Sequence, residues 1–274
     1  RMMAACHPQR AMQHESLRRK VVFGKKRPAK FGRCEKRNLI IRAGGLSFKK
    51  RKNMNKQSQE SENFGCEQIL NTFSSVFSDV RVMQNIIMPM DGFGYCPTAE
   101  FDVIVSCNAG VFVFEIKGYT GNSIEISKTE KEIHIWKIHK DNGVVEIQDP
   151  LAQTGRKIKY LRESIRGSMV RGFVYFTNEK ISLPPNANAD VIKTNDLAYL
   201  VRSIRHDAKR RNKLISTENV NKIAESILEI SQNHTMEEHI KNCIKTGEHR
   251  RKTQNTQRTI IISNHKKEES FGLI

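Results

Sequence analysis

Three observations predict a mixed α/β core. The first is Gly110-Val-Phe-Val-Phe-Glu-Ile-Lys-Gly118, a run of β-branched and aromatic residues with a glycine at each end, which predicts a strand. Its leading residues are apolar on both faces, as in a strand inside a sheet. The second is Glu100–Ser106, a further strand just upstream, joined to it by Cys107-Asn-Ala. That connector suits a hairpin, because Asn108 and Gly110 tolerate turn dihedrals. The third is Asp149-Pro150, a helix start with a capping carboxylate and a proline in the first turn, followed by a strand at Met169–Phe176.

The elements follow in order. Ser61 is expected to cap a helix from about Glu62 to Ser78, with Phe64, Ile69, Phe73, Val76 and Phe77 as its apolar side. Residues 80–90 predict a strand, and Asp91–Tyr95 with Pro97 a loop. Its Gly-x-Gly precedes no helix, so it is not a phosphate cradle. After the hairpin, Ser123–Ile126 and Ile133–Ile138 predict strands; the second holds Trp136, the single tryptophan. The helix from Asp149 runs to about Ile165. Leu151, Ile158, Leu161 and Ile165 are its expected stripe; Gln153, Lys157 and Tyr160 share another side. Arg156, Lys159, Arg162 and Arg166 add positive charge around it. Asp190–Thr194 suits a short strand, and Asp196–His206 and Thr217–Ser231 suit helices. Thr259–Ile262 is a weaker strand candidate.

Charge divides the chain. Net charge is +18 over 274 residues, but it is +15 in residues 1–60, −7 in 61–150 and +10 in 151–274. An acidic centre suits a cation site and a basic flank suits phosphate, although a solvated surface gives similar sums. Residues 1–58 lack periodicity and carry basic clusters such as Lys49-Lys-Arg-Lys52. They are expected to be a disordered arm, read either as nucleic-acid-binding or as a spurious extension before Met54. The predicted organisation is that arm, a domain over 59–206, a helical extension over 207–246 and a polar basic tail over 247–274. The six cysteines are scattered without a Cys-x-x-Cys pair, which argues against a zinc ribbon or a thioredoxin motif. His234 and His239 are five apart and do not share a helix face, so no metal pair is expected from them. No run of about 18 apolar residues is present, so a soluble, cytoplasmic protein without membrane contact is expected. Oligomeric state is left open.

Strand alternation places Val111, Val113, Glu115 and Lys117 on one face. The hairpin brings Asp102 toward the Glu115–Lys117 end. Two carboxylates suit a hard cation. A metal ion polarises phosphate and lowers the pKa of bound water, and a lysine orients that water or stabilises transition-state charge. A plain Glu–Lys pair without chemistry is the other reading of these three residues. Glu115 and Lys117 each sit at a strand end facing a cleft, so substituting either is expected to spare the core.

Four local patterns together resemble the nuclease-related domain, or NERD, family, a branch of the restriction-endonuclease-like (PD-(D/E)xK) fold. They are Gly65-Cys66-Glu67, Phe101-Asp102-Val-Ile-Val, Gly110 to Lys117 with its Glu-x-Lys, and Asp149-Pro150-Leu-Ala-Gln153. Val103 stands where that family often has His, and Cys66 separates Gly65 from Glu67. The resemblance implies a restriction-endonuclease-like α/β core: helix, mixed sheet with a central hairpin, helix, strand. It implies Asp102 and Glu115 as metal ligands, with Glu67 as a third carboxylate or an orienting group. It implies Lys117 as the catalytic lysine, and Gln153 beside the site, contacting phosphate or the attacking water. The cofactor is expected to be Mg²⁺, with Mn²⁺ as a substitute. The activity is expected to be endonucleolytic hydrolysis of DNA. The alternative is a catalytically inactive module of the same fold that binds nucleic acid.

Overall fold

A computed structural model of the chain describes residues 38–42, 56–92, 96–128 and 134–249, all within one compact unit, Lys36–Ile274. The arm expected over 1–58 lies outside the described residues except for a strand at Asn38–Arg42 and the first residues of a helix that opens at Lys56. The basic tail and the Thr259–Ile262 strand lie outside them too.

The fold is α/β with a mixed sheet. Its six strands lie in the order β1 (Asn38–Arg42), β2 (Val80–Pro89), β3 (Thr98–Cys107), β4 (Gly110–Lys117), β8 (Val170–Phe176) and β9 (Val191–Lys193). β2, β3 and β4 are antiparallel neighbours. β4, β8 and β9 are parallel, as are β1 and β2. A separate meander of β5 (Ser123–Lys128), β6 (His134–Lys140) and β7 (Gly143–Ile147) fills the chain between β4 and helix α2 (Pro150–Ser164). β7 was not legible in advance: Gly143-Val-Val-Glu-Ile is short and mostly exposed, so burial leaves no pattern in it.

Two helices cover each face of the sheet. α1 (Lys56–Val76) and α3 (Thr194–Arg210) pack over Val103, Val105, Phe112 and Phe114. α2 and α4 (Thr217–Ser231) pack over Ile104, Val111 and Val113. The alternation of β4 is thus resolved into two cores, and every residue from Gly110 to Ile116 is buried. A third cluster joins the meander to the parallel edge, where Trp136 stacks on Phe176 at 6.4 Å between ring centroids. A fifth helix, α5, spans 236–249 and starts where the Thr235 hydroxyl accepts the Glu238 amide at 3.1 Å.

Two local details differ from the sequence reading. α1 begins at Lys56, so Ser61 lies inside it and does not cap it. The Ser61 hydroxyl instead bonds the Thr177 hydroxyl, and its side chain occupies the space a Cβ at Gly118 would need. The buried stripe of α2 is Pro150, Thr154, Lys157 and Leu161. A lysine therefore occupies a core position of that helix. Asp149 caps it as expected, accepting the Leu151 amide at 2.8 Å.

α2 can lie close on the sheet because residue 172 has no side chain. A Cβ there would come within 2.7 Å of the Thr154 methyl group, well inside ordinary contact distance. That approach brings the second turn of α2 within reach of β4.

Candidate active site

The site lies where β3 and β4 part. Their ladder runs from Cys107↔Gly110 to Val103↔Phe114 and ends there. The next residue, Asp102, takes over the ladder's task with its side chain: it accepts the Ile116 amide at 2.8 Å. β4 meanwhile stays paired with β8 as far as Lys117↔Phe176. The parting strands open a cleft lined by Asp102, Glu115, Lys117, Gln153 and Lys157, with Lys140 and Arg156 also among its walls.

Glu115 is the centre of charge. Its side chain is 3% exposed and both of its oxygens accept an ammonium: Lys117 on Oε1 at 2.6 Å and Lys157 on Oε2. Lys157 is equally buried and stands over the Phe101 ring, 5.5 Å from its centroid. Burial alone would raise the Glu115 pKa, but the two ammoniums outweigh it and hold the carboxyl at about 2. Burial likewise opposes charge on Lys117, yet Glu115 and Asp102 hold its ammonium protonated well above the usual lysine range. Lys117 is therefore a fixed positive charge rather than a proton acceptor.

Asp102 behaves in the opposite way. Burial first, and then repulsion from Glu115, push its pKa up to about 7 against the pull of Lys157 and Lys117. One carboxylate is thus strongly ionised while its neighbour resists ionisation. A cation bound beside Asp102 would favour its ionised form against burial and the repulsion from Glu115. The donor set fits a hard divalent ion. Each carboxylate oxygen carries two lone pairs, so the bonds to Ile116, Lys117 and Lys157 do not exhaust the acceptor capacity of Asp102 and Glu115.

A pH dependence follows. The folded pKa of Asp102, about 7, lies above its ordinary 3.8, so the folded protein holds a proton that the unfolded chain releases between those values. In metal-free protein this group's contribution to stability is present in acid and is lost as pH rises toward 7. Glu115 works the other way, losing its contribution as pH falls from 4.5 toward 2. Asp102→Asn keeps an acceptor for Ile116 and removes the titration. Urea unfolding in chelator should show the variant gaining on the parent between about pH 4 and pH 7. Parallel pH profiles for the two proteins would contradict this account of Asp102.

Among the residues expected from sequence, Asp102, Glu115, Lys117 and Gln153 meet in this cleft, and Glu67 does not. Glu67 is exposed on α1. Cys66, Ile69 and Phe73 set the inward side of that helix, and counting back one turn from Cys66 gives Glu62, which does line the cleft. Gly65 serves packing: a Cβ there would come within 2.9 Å of Ile116. The residue missed was Lys157. Its spacing of four from Gln153 was visible, but not its place in the buried stripe. The expectation that changes here would spare the core also needs correcting, because Glu115 and Lys157 are buried partners.

No curated protein and no solved structure matches the chain. Residues 60–177 match the family model of the nuclease-related domain. That span runs from α1 to the end of β8 and contains every residue of the charged cluster just described. Over those residues the chain is similar to the nuclease-related domain family, and that similarity points to a nuclease-related function.

Proposed function

We propose that this domain is a restriction-endonuclease-like enzyme that hydrolyses phosphodiester bonds in DNA with the help of Mg²⁺, for which Mn²⁺ can substitute. The observation that carries the reading is the convergence of Asp102, Glu115, Lys117 and Gln153 on one cleft within the matched span. Asp102 and Glu115 are the residues that would hold the metal. When bound, the ion supplies polarisation of the phosphate and acidification of a bound water.

The remaining roles belong to the chain. Lys117, fixed in its charged form, offers its ammonium to the negative charge that develops on the phosphate. Lys157 balances Glu115 from the core side and sets the direction of its carboxylate. The Gln153 amide can donate to a phosphate oxygen or accept from the attacking water. Lys140 and Arg156, on the cleft walls, suit the contacts to the nucleic-acid backbone that position it without reading sequence. Cleavage by water attack leaves a 3′ hydroxyl and a 5′ phosphate.

The test is relaxation and linearisation of supercoiled plasmid by purified full-length protein, with Mg²⁺, with Mn²⁺ and with chelator. Cleavage with either ion and none with chelator is the expected outcome. Retention of DNA without cleavage under any of these conditions would overturn the enzymatic reading in favour of a binding module.

A further inference from the structure

A second cluster of metal-type ligands stands at the rim of the same cleft, with Cys96 inside the matched span and His239 and Cys243 beyond it. Cys96 precedes β3, while His239 and Cys243 come from α5. Their ligand atoms all lie within 4.8 Å of one another. His239 and Cys243 are four apart on a helix, so their side chains share one face.

The separations match a particular centre. Zinc binds thiolate at about 2.3 Å and imidazole nitrogen at about 2.1 Å. Around a tetrahedral ion those legs place two sulfurs about 3.8 Å apart, and a sulfur and a nitrogen about 3.6 Å apart. Cys96 Sγ and Cys243 Sγ are 3.8 Å apart, and Cys243 Sγ and His239 Nε2 are 3.5 Å apart. A disulfide requires its sulfurs at about 2.05 Å, so the pair does not have that geometry.

The histidine is also oriented for the task. Its Nδ1 lies 2.9 Å from the Thr98 hydroxyl, which in turn accepts the Asn242 amide at 3.3 Å. A ring that donates through Nδ1 to Thr98 presents Nε2 as a bare acceptor, on the side of Cys243. Supporting bonds of this kind fix the tautomer and ring direction of metal-bound histidines. Two thiolates and an imidazole are a borderline-soft set that selects zinc over magnesium, so this site and the carboxylate site take different ions.

We propose that Cys96, His239 and Cys243 bind one Zn²⁺, with a solvent molecule in the fourth position, and that this ion fastens α5 to the start of β3. The two thiols lose their protons on binding. α5 contributes His239, Cys243 and Thr246 to the cleft wall, so the clip holds one wall of the cleft in place. The proposal needs no catalytic activity and stands independently of the nuclease reading.

The experiment uses untagged full-length protein, kept reduced with a phosphine and loaded with zinc before gel filtration. Elemental analysis should give one zinc per chain. Co²⁺ in place of zinc should show thiolate charge-transfer bands and the visible d–d bands of a tetrahedral site. Cys243→Ser, at an exposed position, and His239→Ala should each lose the metal while far-ultraviolet circular dichroism stays that of the parent. Cys34→Ser should keep it. Chelation of the parent should raise hydrogen exchange in residues 236–249 and leave β4 unchanged, a readout that does not depend on any variant folding. A reduced parent that takes up neither zinc nor cobalt overturns the proposal, and so does a Cys243→Ser protein that keeps one zinc. A two-dalton loss of mass before reduction, with no metal uptake after it, would mark the pair as a disulfide and also overturn it.

Discussion

Glu115→Gln is expected to damage the fold as well as the activity. The change leaves the buried Lys157 ammonium without the carboxylate it bonds. Breaking a buried pair by removing one partner costs about 3–5 kcal/mol, because the remaining charge stays desolvated. The effect should fall toward the lower end of that range. Asp102 loses the neighbour that raises its pKa, ionises more readily and partly replaces the missing charge. Urea denaturation at neutral pH in chelator measures the loss. Lys157→Met in the same chain removes the orphaned ammonium while keeping an unbranched side chain in the α2 stripe, so the double variant should recover most of the stability and none of the cleavage. A Glu115→Gln protein as stable as the parent would show that the two buried charges are not partners.

Lys117→Ala should separate chemistry from folding. Lys117 is 16% exposed and Glu115 keeps its bond to Lys157 when it is removed, so stability should fall far less than in Glu115→Gln. The lost group is a preorganised positive charge, and losing one such group lowers kcat by roughly 10²–10³-fold. Single-turnover cleavage against Mg²⁺ concentration tells the two substitutions apart. In Lys117→Ala extra metal should not restore the rate, since both carboxylates remain. In Glu115→Gln extra metal should recover some of whatever cleavage survives, because one charge of the proposed ligand set is gone. DNA binding should weaken with rising salt in both proteins as in the parent, since phosphate contacts govern that dependence. Parent-like rates in Lys117→Ala would leave the ammonium a purely structural role.

How far the sequence foretold this site depends on what each residue answers to. β4 was legible because its two faces are written in neighbouring residues, and the Glu115–Lys117 spacing follows from alternation alone. The start of α2 was legible because Asp149 and Pro150 act locally, through one hydrogen bond and one fixed dihedral. Lys157 was not, because a lysine in the core is stable only when a partner from another element meets it. That partner, Glu115, lies 42 positions away across the meander. Glu67 was chosen by pattern, whereas burial of Cys66, Ile69 and Phe73 sets the helix phase and puts Glu62 on the cleft side. The rim cluster was hidden for a similar reason. His239 was weighed against His234, five away, while its companions were Cys243 on the next turn and Cys96, which lies 147 positions before Cys243. Sequence spacing finds ligands on one helix and is blind to those the sheet delivers.

The bond from the Ile116 amide to Asp102 has a spectroscopic consequence. In an ordinary sheet that N–H would face a neutral carbonyl, and its resonance would be indifferent to acid. Here its acceptor is a carboxyl group that titrates near neutrality. Every gain or loss of charge on Asp102, whether from a proton, a cation or an approaching phosphate, is therefore transmitted to one backbone nitrogen in the middle of the protein. The Ile116 amide is a resident probe of the state of the site, readable in a nitrogen–proton correlation spectrum without any label attached to the site itself.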